Sequence, residues 1–209
     1  YEFPIFTQKI NGKPLVYLDS ANSSQKPKIV IDRISNFYET EYSNVGRSVH
    51  SLAVKATNRF EATRDRVKKY MNAAHREEII FTKGATEAIN LVACSIGEML
   101  KPGDEIIMPS YTFVSTANAF ASRGAIPVFV DVDLKTHNIN TDLIEEAITP
   151  KTRAIMLAHT LGNPFNLKKI REICDKYNLW LVEDCCDALG ATYNEIHVGT
   201  FGDIATCSF

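Results

Sequence analysis

The stretch Leu179-Trp180-Leu181-Val182-Glu183-Asp184-Cys185-Cys186-Asp187-Ala188-Leu189-Gly190 decides the fold. Its first four residues form an apolar run with the length and hydrophobicity of a strand buried on both faces. The run ends abruptly in three acidic residues and two cysteines. In open α/β sheets the ligand crevice lies just beyond the carboxyl ends of the strands. We therefore expect Asp184 and Asp187 to meet a ligand there; the alternative is that both are solvated turn residues.

The composition is that of a globular protein without a strongly charged surface. The chain has 209 residues, of which 45% are hydrophobic, and a formal net charge of -2. We expect neither a nucleic-acid partner nor a membrane partner, because there is no basic field and no apolar run approaches the roughly 20 residues that span a bilayer. The first residues also lack the layout of a signal peptide. These features predict a cytoplasmic protein.

The cysteines and the chain ends add two expectations. There are five cysteines, an odd number, and only Cys185 and Cys186 lie close together, so reduced thiols are expected rather than a secreted disulfide framework. The chain begins without methionine and stops at Phe209 inside an apolar, strand-like run. We expect it to be a fragment.

The order of the predicted elements indicates the fold class. Residues 1–77 are expected to form an N-terminal arm and helices, with a short strand at Leu15–Leu18 and helices over about 28–42 and 53–71. From residue 78 onward, strand and helix patterns alternate. The expected strands are 79–81, 105–108, 126–130, 154–158, 180–182 and 204–209, and the expected helices are 86–99, 112–122, 141–148 and 167–177. This alternation predicts an α/β fold over 78–209, with a mostly parallel sheet and helices on both faces, an α/β/α sandwich.

The segment Thr82–Ala88 is the first motif with chemical content. A glycine turn at Gly84 opens a helix there, and backbone N–H groups at a helix start, beside the Thr86 hydroxyl, suit a bound phosphate. An ordinary helix cap is the alternative. The segment lacks both the phosphate-loop and the dinucleotide fingerprints, which disfavours nucleoside triphosphates and nicotinamide cofactors.

Four more candidate residues lie at or near strand ends. Phe113 could stack on a planar ring, with a core position as its alternative. Asn163 could donate to a ring oxygen, and His159 could carry out acid–base chemistry, with a structural role as its alternative. Ser208 offers a second hydroxyl for a phosphate.

Together these residues suit a phosphorylated aromatic cation. A phosphate cup, a stacking aromatic ring, an asparagine and a carboxylate all follow strands of one predicted sheet. Pyridoxal 5'-phosphate is the obvious candidate, because a carboxylate keeps its pyridine nitrogen protonated and lets the ring act as an electron sink. The sequence therefore predicts a cofactor-dependent enzyme with a small-molecule substrate.

The chain resembles two families that share one fold. Up to about residue 93 it resembles the class V cysteine desulfurases of iron–sulfur assembly, and from about residue 100 it resembles the DegT-type sugar aminotransferases. Within the latter it is similar to the dehydrase branch, which removes the 3-hydroxyl of CDP-4-keto-6-deoxyglucose. The matching strings are YLDSA at 17–21, QKP at 25–27, NVGRSVH at 44–50, GATEAINLVA at 84–93, KPGDE at 101–105, PVFVDVD at 127–133, AHTLGNPF at 158–165, EDCCDALG at 183–190 and GTFGDIAT at 199–206.

The resemblance implies a fold and a set of cofactor contacts. The fold is the large domain of the PLP-dependent transferase type I fold, with the C-terminal small domain missing. Asp184 would pair with the pyridine nitrogen of pyridoxal or pyridoxamine 5'-phosphate, and Phe113 would stack on the ring. Ala85, Thr86 and Ser208 would hold the phosphate. The change of family near residues 94–100 implies a seam, whether by recombination, design or misassembly.

Two residues point to the dehydrase branch. Asp187 stands where most relatives carry glutamine or histidine near the ring oxygen, and aspartate there is a dehydrase trait. Cys186 stands where the dehydrases place the first of four cysteines that bind a [2Fe-2S] cluster, and a buried inert thiol is the alternative. By contrast, the desulfurases carry a histidine over the ring, in the region where this chain has Phe113.

The resemblance leaves the reaction open. Both families place the decisive residue beyond Phe209, a Schiff-base lysine in aminotransferases and desulfurases and a histidine in dehydrases, so we expect the chain alone to be inactive. The main interpretation is a nucleotide-sugar 3-dehydrase, with a reductase partner, or an aminotransferase, in which His159 and Asp187 are the catalytic candidates. The alternatives are a desulfurase that forms alanine and persulfide, and a non-catalytic scaffold. A homodimer is expected, because this fold usually builds its active site at a dimer interface.

Overall fold

The computed structural model describes residues 2–20, 23–46 and 48–208. It divides into two compact units, Tyr1–Val67 and Lys68–Phe209. Arg47, within the desulfurase-like NVGRSVH string, lies outside the described residues. The predicted domain boundary after residue 77 remains a prediction, because compactness alone defines these units.

The first unit contains a small hairpin and two helices. Strands β1 (Lys9–Ile10) and β2 (Lys13–Pro14) are antiparallel and are joined by Asn11-Gly12, whose φ angles of 53° and 76° are those of a tight type I′-like turn. Helix α1 (Lys28–Thr40) and helix α2 (Ser51–Tyr70) confirm both predicted helices, with α2 running on past the end of this unit.

The strand predicted at Leu15–Leu18 is wrong. The hairpin ends at Pro14, and the residues after it pair with no described strand. Val16 and Leu18 are 74% and 91% exposed, so the alternation of apolar residues in this stretch does not bury these two side chains. A strand needs a neighbouring strand to hydrogen-bond with as well as a suitable pattern. Here the Asn11-Gly12 turn fixes the pairing of the residues that precede Leu15.

The second unit is built on a five-stranded parallel sheet, which confirms the predicted parallel arrangement with one strand fewer than the six expected. Its strands are β3 (Glu105–Pro109), β4 (Ile126–Val130), β5 (Thr152–Ala158), β6 (Trp180–Asp184) and, after the short hairpin of β7 (Thr192–Tyr193) and β8 (Ile196–His197), β9 (Ile204–Thr206). The order across the sheet is β4-β3-β5-β6-β9, and every neighbouring pair is parallel.

Helices cover both faces of this sheet, which confirms the α/β/α architecture. Alternate side chains of a strand point to opposite faces, so Ile106 and Met108 pack on one side while Ile107 packs on the other. The first side is covered by α3 (Ala85–Gly97) and α4 (Val114–Ala121). The second is covered by α6 (Leu167–Tyr177) and by the single turn of α5 (Ile144–Ala147). The central strands β3, β5 and β6 are therefore largely buried on both faces, as their near-continuous apolar runs predict, whereas Ile126 and Phe129 of the edge strand β4 are 46% and 56% exposed.

Three predicted elements differ from the structure. Residues 79–81 form no strand; they follow a 3-10 turn at Arg76–Glu78, and Ile80 is 65% exposed. The helix predicted at 141–148 is reduced to α5, because a hydrogen-bonded turn around Asn140 takes up the backbone N–H groups of Asp142 and Leu143. The last strand ends at Thr206, so Ser208 lies beyond it and Phe209 lies outside the described residues.

The strand order indicates where on the sheet a ligand is expected to bind. After β3, the next strand in the chain, β4, lies on one side of it, and the following strand, β5, lies on its other side. The order of strands therefore reverses between β3 and β5. Open α/β sheets bind ligands at such a reversal, outside the carboxyl ends of the strands. Among the described residues, no helix is both long enough and apolar enough to span a membrane.

Candidate active-site cleft

A cleft of about 430 Å³ opens at the carboxyl ends of β3, β5 and β6, at the reversal of strand order. The size suits a small cofactor with part of a substrate. Seven of the predicted site residues line it: Ala85, Thr86, Phe113, His159, Asp184, Cys186 and Asp187. Asn163 and Ser208 are exposed residues that do not line it, so their contacts with a cofactor remain predictions.

The start of α3 offers the cleft backbone donors that have no acceptor within the helix. The first hydrogen bond within the helix runs from the Ala88 N–H to the Gly84 carbonyl, at 3.0 Å. The N–H groups of Ala85, Thr86 and Glu87 therefore precede any intrahelical acceptor. Such a helix start, with its positive dipole end, is a suitable phosphate site, and it is the part of the cleft that the sequence motif predicted.

Asp184 supplies the carboxylate of the cleft. It is the last residue of β6 and is only 6% exposed. One carboxylate oxygen accepts the Cys186 backbone N–H at 3.1 Å, which fixes the side chain, and the Cys186 thiol hydrogen-bonds to the same carboxylate. The Asp184 carbonyl accepts the His159 backbone N–H at 3.1 Å, which ties the ends of β5 and β6 together. A carboxylate held in this way is suited to a cationic or N–H group of a ligand.

Phe113 and Thr112 form the wall that follows β3. Phe113 caps α4 and is 72% exposed, so it is not the core residue that the alternative interpretation required. Thr112 lines the cleft as well, and its hydroxyl is buried without a hydrogen-bond partner among the described residues. We did not predict a role for Thr112 from sequence, since a threonine beside an aromatic residue carries no distinctive signal.

His159 lies behind the cleft in a polar cluster that the sequence did not reveal. Its imidazole has no exposed surface, stacks on Phe165 with the ring centroids 4.2 Å apart, and pairs through Nε2 with Glu183 Oε2 at 3.0 Å. Nδ1 is buried without a partner among the described residues. The contacts are those of a structural histidine, and its catalytic role remains a prediction.

Glu183 is the functional residue that sequence reasoning missed. It is completely buried, and its carboxylate accepts the backbone N–H groups of Gly199 at 2.9 Å, Phe201 at 2.9 Å and Gly202 at 2.5 Å. It thereby anchors the loop that leads into β9. A buried acidic residue in an apolar strand was the available signal, but only the fold brings its partners to it.

The thiols near the cleft differ in their environments. Burial and a hydrogen bond to Asp184 raise the pKa of Cys186, which lines the cleft. A hydrogen bond donated to Cys207, together with burial, raises the pKa of Cys185, and the same hydrogen bond lowers the pKa of Cys207. The metal-ligating role of Cys186 remains a prediction.

One buried group has the composition of a metal site. Potential ligand atoms of His159, Glu183 and Cys185 all lie within 4.8 Å of one another. However, both Glu183 oxygens are already acceptors for loop N–H groups and for the histidine. Contacts within the protein therefore already engage the Glu183 oxygens that a metal ion would need.

A tight turn closes the cleft after β5. Gly162 has a φ of 79°, and a Cβ atom at this position would lie 2.9 Å from the Asp187 carbonyl oxygen. Leu161, which precedes it and lines the cleft, also has a positive φ of 55°. Glycine is required at 162 both by its backbone conformation and by this close approach.

Fold and cleft define the chain as the large domain of a PLP-dependent transferase of fold type I. The model of the DegT/DnrJ/EryC1/StrS aminotransferase family matches residues 37–209, and the chain belongs to this family. The match runs through residues 94–100, so the likeness to this family extends to both sides of the expected seam.

Relatives from both resembled families are found. The chain is 50% identical over 161 residues to the lipopolysaccharide biosynthesis protein RfbH of Salmonella typhimurium, covering 73% of this chain and 36% of that protein. It is 51% identical over 121 residues to a dTDP-4-dehydro-2,6-dideoxy-D-glucose 3-dehydratase of Saccharopolyspora spinosa, covering 57% and 26%. It is 38% identical over 195 residues to a probable cysteine desulfurase of Synechocystis sp., covering 90% and 46%. The chain therefore spans less than half of each of these relatives.

The solved structures agree with the fold. The aminotransferase TlmJ from Streptoalloteichus hindustanus superimposes with a TM-score of 0.76 at 29% identity, over 88% of this chain and 47% of that one.

Proposed function

We propose that the chain is the cofactor-binding part of an enzyme that uses pyridoxal or pyridoxamine 5'-phosphate to modify a nucleotide-linked keto sugar, by 3-dehydration or transamination. The observation that carries this proposal is the pairing, in one cleft, of the buried Asp184 carboxylate with the N–H groups at the start of α3 that have no acceptor within the helix. A phosphorylated pyridinium offers an anion for the helix start and a ring N–H for the carboxylate.

Within this proposal each cleft residue has one task. Ala85 and Thr86 bind the phosphate, Phe113 stacks on the ring, and Asp184 holds a proton on the pyridine nitrogen. When bound, the cofactor supplies an electron sink that stabilises a carbanion on the substrate. Asp187 lines the cleft, and the ring oxygen is its proposed target. By the resemblance to the dehydrases, an aspartate at this position favours 3-dehydration over transamination. Cys186 would then contribute to a [2Fe-2S] cluster in the whole protein, and a reductase would be its partner.

Binding of pyridoxamine 5'-phosphate is the direct test. This form is preferable to pyridoxal phosphate, because its amine cannot form adventitious imines with surface lysines. We expect saturable one-to-one binding by equilibrium dialysis. A charge-assisted hydrogen bond is worth about 1.5–3 kcal/mol, so Asp184→Asn should weaken binding by about 10- to 150-fold.

A matched substitution controls for charge alone. Asp175 lies on α6, and its side chain is 67% exposed, so Asp175→Asn should leave the affinity unchanged. If the folded chain does not bind the ligand, or if Asp184→Asn binds it equally well, the proposal fails. The non-catalytic scaffold would then be the better interpretation.

Cysteine desulfuration is the second candidate, and the likeness to a probable desulfurase over 90% of the chain favours it. An assay of the product of the whole locus separates the two reactions. Release of alanine from L-cysteine would establish desulfuration, and loss of the 3-hydroxyl from a nucleotide-linked 4-keto sugar would establish dehydration. We also propose a homodimer in the cytoplasm, which light scattering of the purified protein and localisation of the tagged protein would test.

A further inference from the structure

Cys185 and Cys207 directly follow two neighbouring strands, at corresponding positions. The register of β6 and β9 pairs Asp184 with Thr206, and the Cys185 N–H continues the ladder by donating to the Thr206 carbonyl at 2.8 Å. The two cysteines therefore follow at corresponding positions, on strands that lie about 4.8 Å apart. This spacing is within the range of about 4.4–6.8 Å that a disulfide needs between its Cα atoms.

The side chains of this pair lie on the same face of the sheet. Cys185 belongs to the core cluster on that face and Cys207 packs against the same cluster, so neither side chain has to leave the face to reach the other. Cys185 is 1% exposed, whereas Cys207 is partly exposed. An oxidant would therefore meet Cys207 first, with Cys185 as the resolving thiol behind it.

The other three cysteines lack this arrangement. Cys94 is exposed on α3. Cys174 lies on the buried side of α6, where burial raises its pKa to about 12. Cys186 is the sequence neighbour of Cys185 but lines the cleft, and its thiol hydrogen-bonds to Asp184.

We propose that Cys185 and Cys207 are a redox-active dithiol that small-molecule disulfides such as glutathione disulfide convert into a cross-strand disulfide. The Cys207 thiolate attacks one glutathione sulfur, the glutathione S–S bond breaks, and one glutathione thiolate leaves. Cys185 then attacks the Cys207 sulfur of the mixed disulfide and expels the second glutathione, while its proton passes to the departing thiolate. Two protein thiols are oxidised, and one glutathione disulfide is reduced to two thiols.

The bridge would join the two strand ends that carry proposed cofactor contacts. Cys185 directly follows Asp184, and Cys207 directly precedes Ser208. The proposal does not depend on the proposed function, because the bridge can be measured without any cofactor.

Peptide mapping of the oxidised chain tests the proposal. Lys176 is the last lysine or arginine, so trypsin releases 177–209 as one peptide with three cysteines. Cleavage after Glu183 and Glu195 then separates Cys185 and Cys186 from Cys207. The folded chain, carrying Cys94→Ser to prevent intermolecular links, is incubated with glutathione disulfide, alkylated and digested. We expect 184–195 to be disulfide-linked to 196–209.

Two substitutions decide which thiol is used. Cys185→Ser should abolish the linked peptide, whereas the matched Cys186→Ser should retain it in full. A link that survives in Cys185→Ser, or is lost in Cys186→Ser, would overturn the proposal. So would a folded chain, verified by circular dichroism, in which only mixed glutathione disulfides form. If Cys185→Ser does not fold, fragmentation of the linked peptide from the unsubstituted chain assigns the bonded cysteine directly.

Discussion

Replacement of Glu183 by glutamine is the sharpest test of the buried polar cluster behind the cleft. The substitution keeps the shape of the side chain and replaces one accepting oxygen by an amide group that can only donate. The amide oxygen can still accept the Phe201 and Gly202 N–H groups, which lie 2.9 and 2.5 Å from Glu183 Oε1. The new NH₂ group then faces the Gly199 N–H, which lies 2.9 Å from Oε2.

The expected loss follows from this contact. A buried donor without an acceptor costs about 1–3 kcal/mol, and a loss of about 2 kcal/mol lowers the melting temperature of a domain of this size by about 4–8 °C. Truncation by Glu183→Ala removes the acceptor for all three N–H groups and for His159, so we expect about 3–5 kcal/mol. That is a large part of the 5–15 kcal/mol that stabilises a typical domain.

Urea unfolding followed by tryptophan fluorescence measures both values. Trp180, the only tryptophan of the chain, begins the strand that carries Glu183 and so reports on this part of the sheet. Glu172→Gln on the exposed side of α6 is the matched control and should be neutral. A Glu183→Gln variant within about 0.5 kcal/mol of the unsubstituted chain, the range of ordinary surface changes, would refute the anchoring role.

Two further predictions concern backbone conformation and pH. Gly162→Ala should destabilise the chain by more than Gly103→Ala. Both glycines have a positive φ, at 79° and 92°, so both substitutions strain the backbone. Only at position 162 would the new Cβ also meet backbone, 2.9 Å from the Asp187 carbonyl oxygen, whereas nothing lies within 4 Å at position 103. Equal losses in thermal unfolding would show that the close approach is unimportant. Hydrogen bonds from the Lys135 and Thr136 N–H groups lower the pKa of Asp133 below its ordinary value of 3.8. The ionised carboxylate therefore stabilises the fold at neutral pH, and this stabilisation is lost as the pH falls through the lowered pKa of the folded state. Asp133→Ala should therefore be less stable than the unsubstituted chain at pH 7, with the difference shrinking under acid; a difference that is constant down to pH 2 would contradict this assignment.

Local pattern was sufficient for most of the fold. The runs at 105–108, 154–158 and 180–182 became strands between two helical layers, where apolar runs of this kind are stable. The run at 126–130 became the edge strand beside them. The pattern was insufficient at Leu15–Leu18 and at 79–81, where a strand-like composition belongs to no described strand. Pairing is a property of two segments, and a sequence window contains only one of them.

For the cleft, the sequence by itself determined which residues follow strands, and tertiary structure decided which of them meet. Ala85, Phe113 and Asp184 come together because the order of strands reverses between β3 and β5, which opens a gap at their carboxyl ends. The contacts of Glu183 with Gly199, and of Cys185 with Cys207, link residues that are separate in the chain. Such contacts depend on the register of β6 against β9 and on the path of the loop before β9, and no local pattern encodes either.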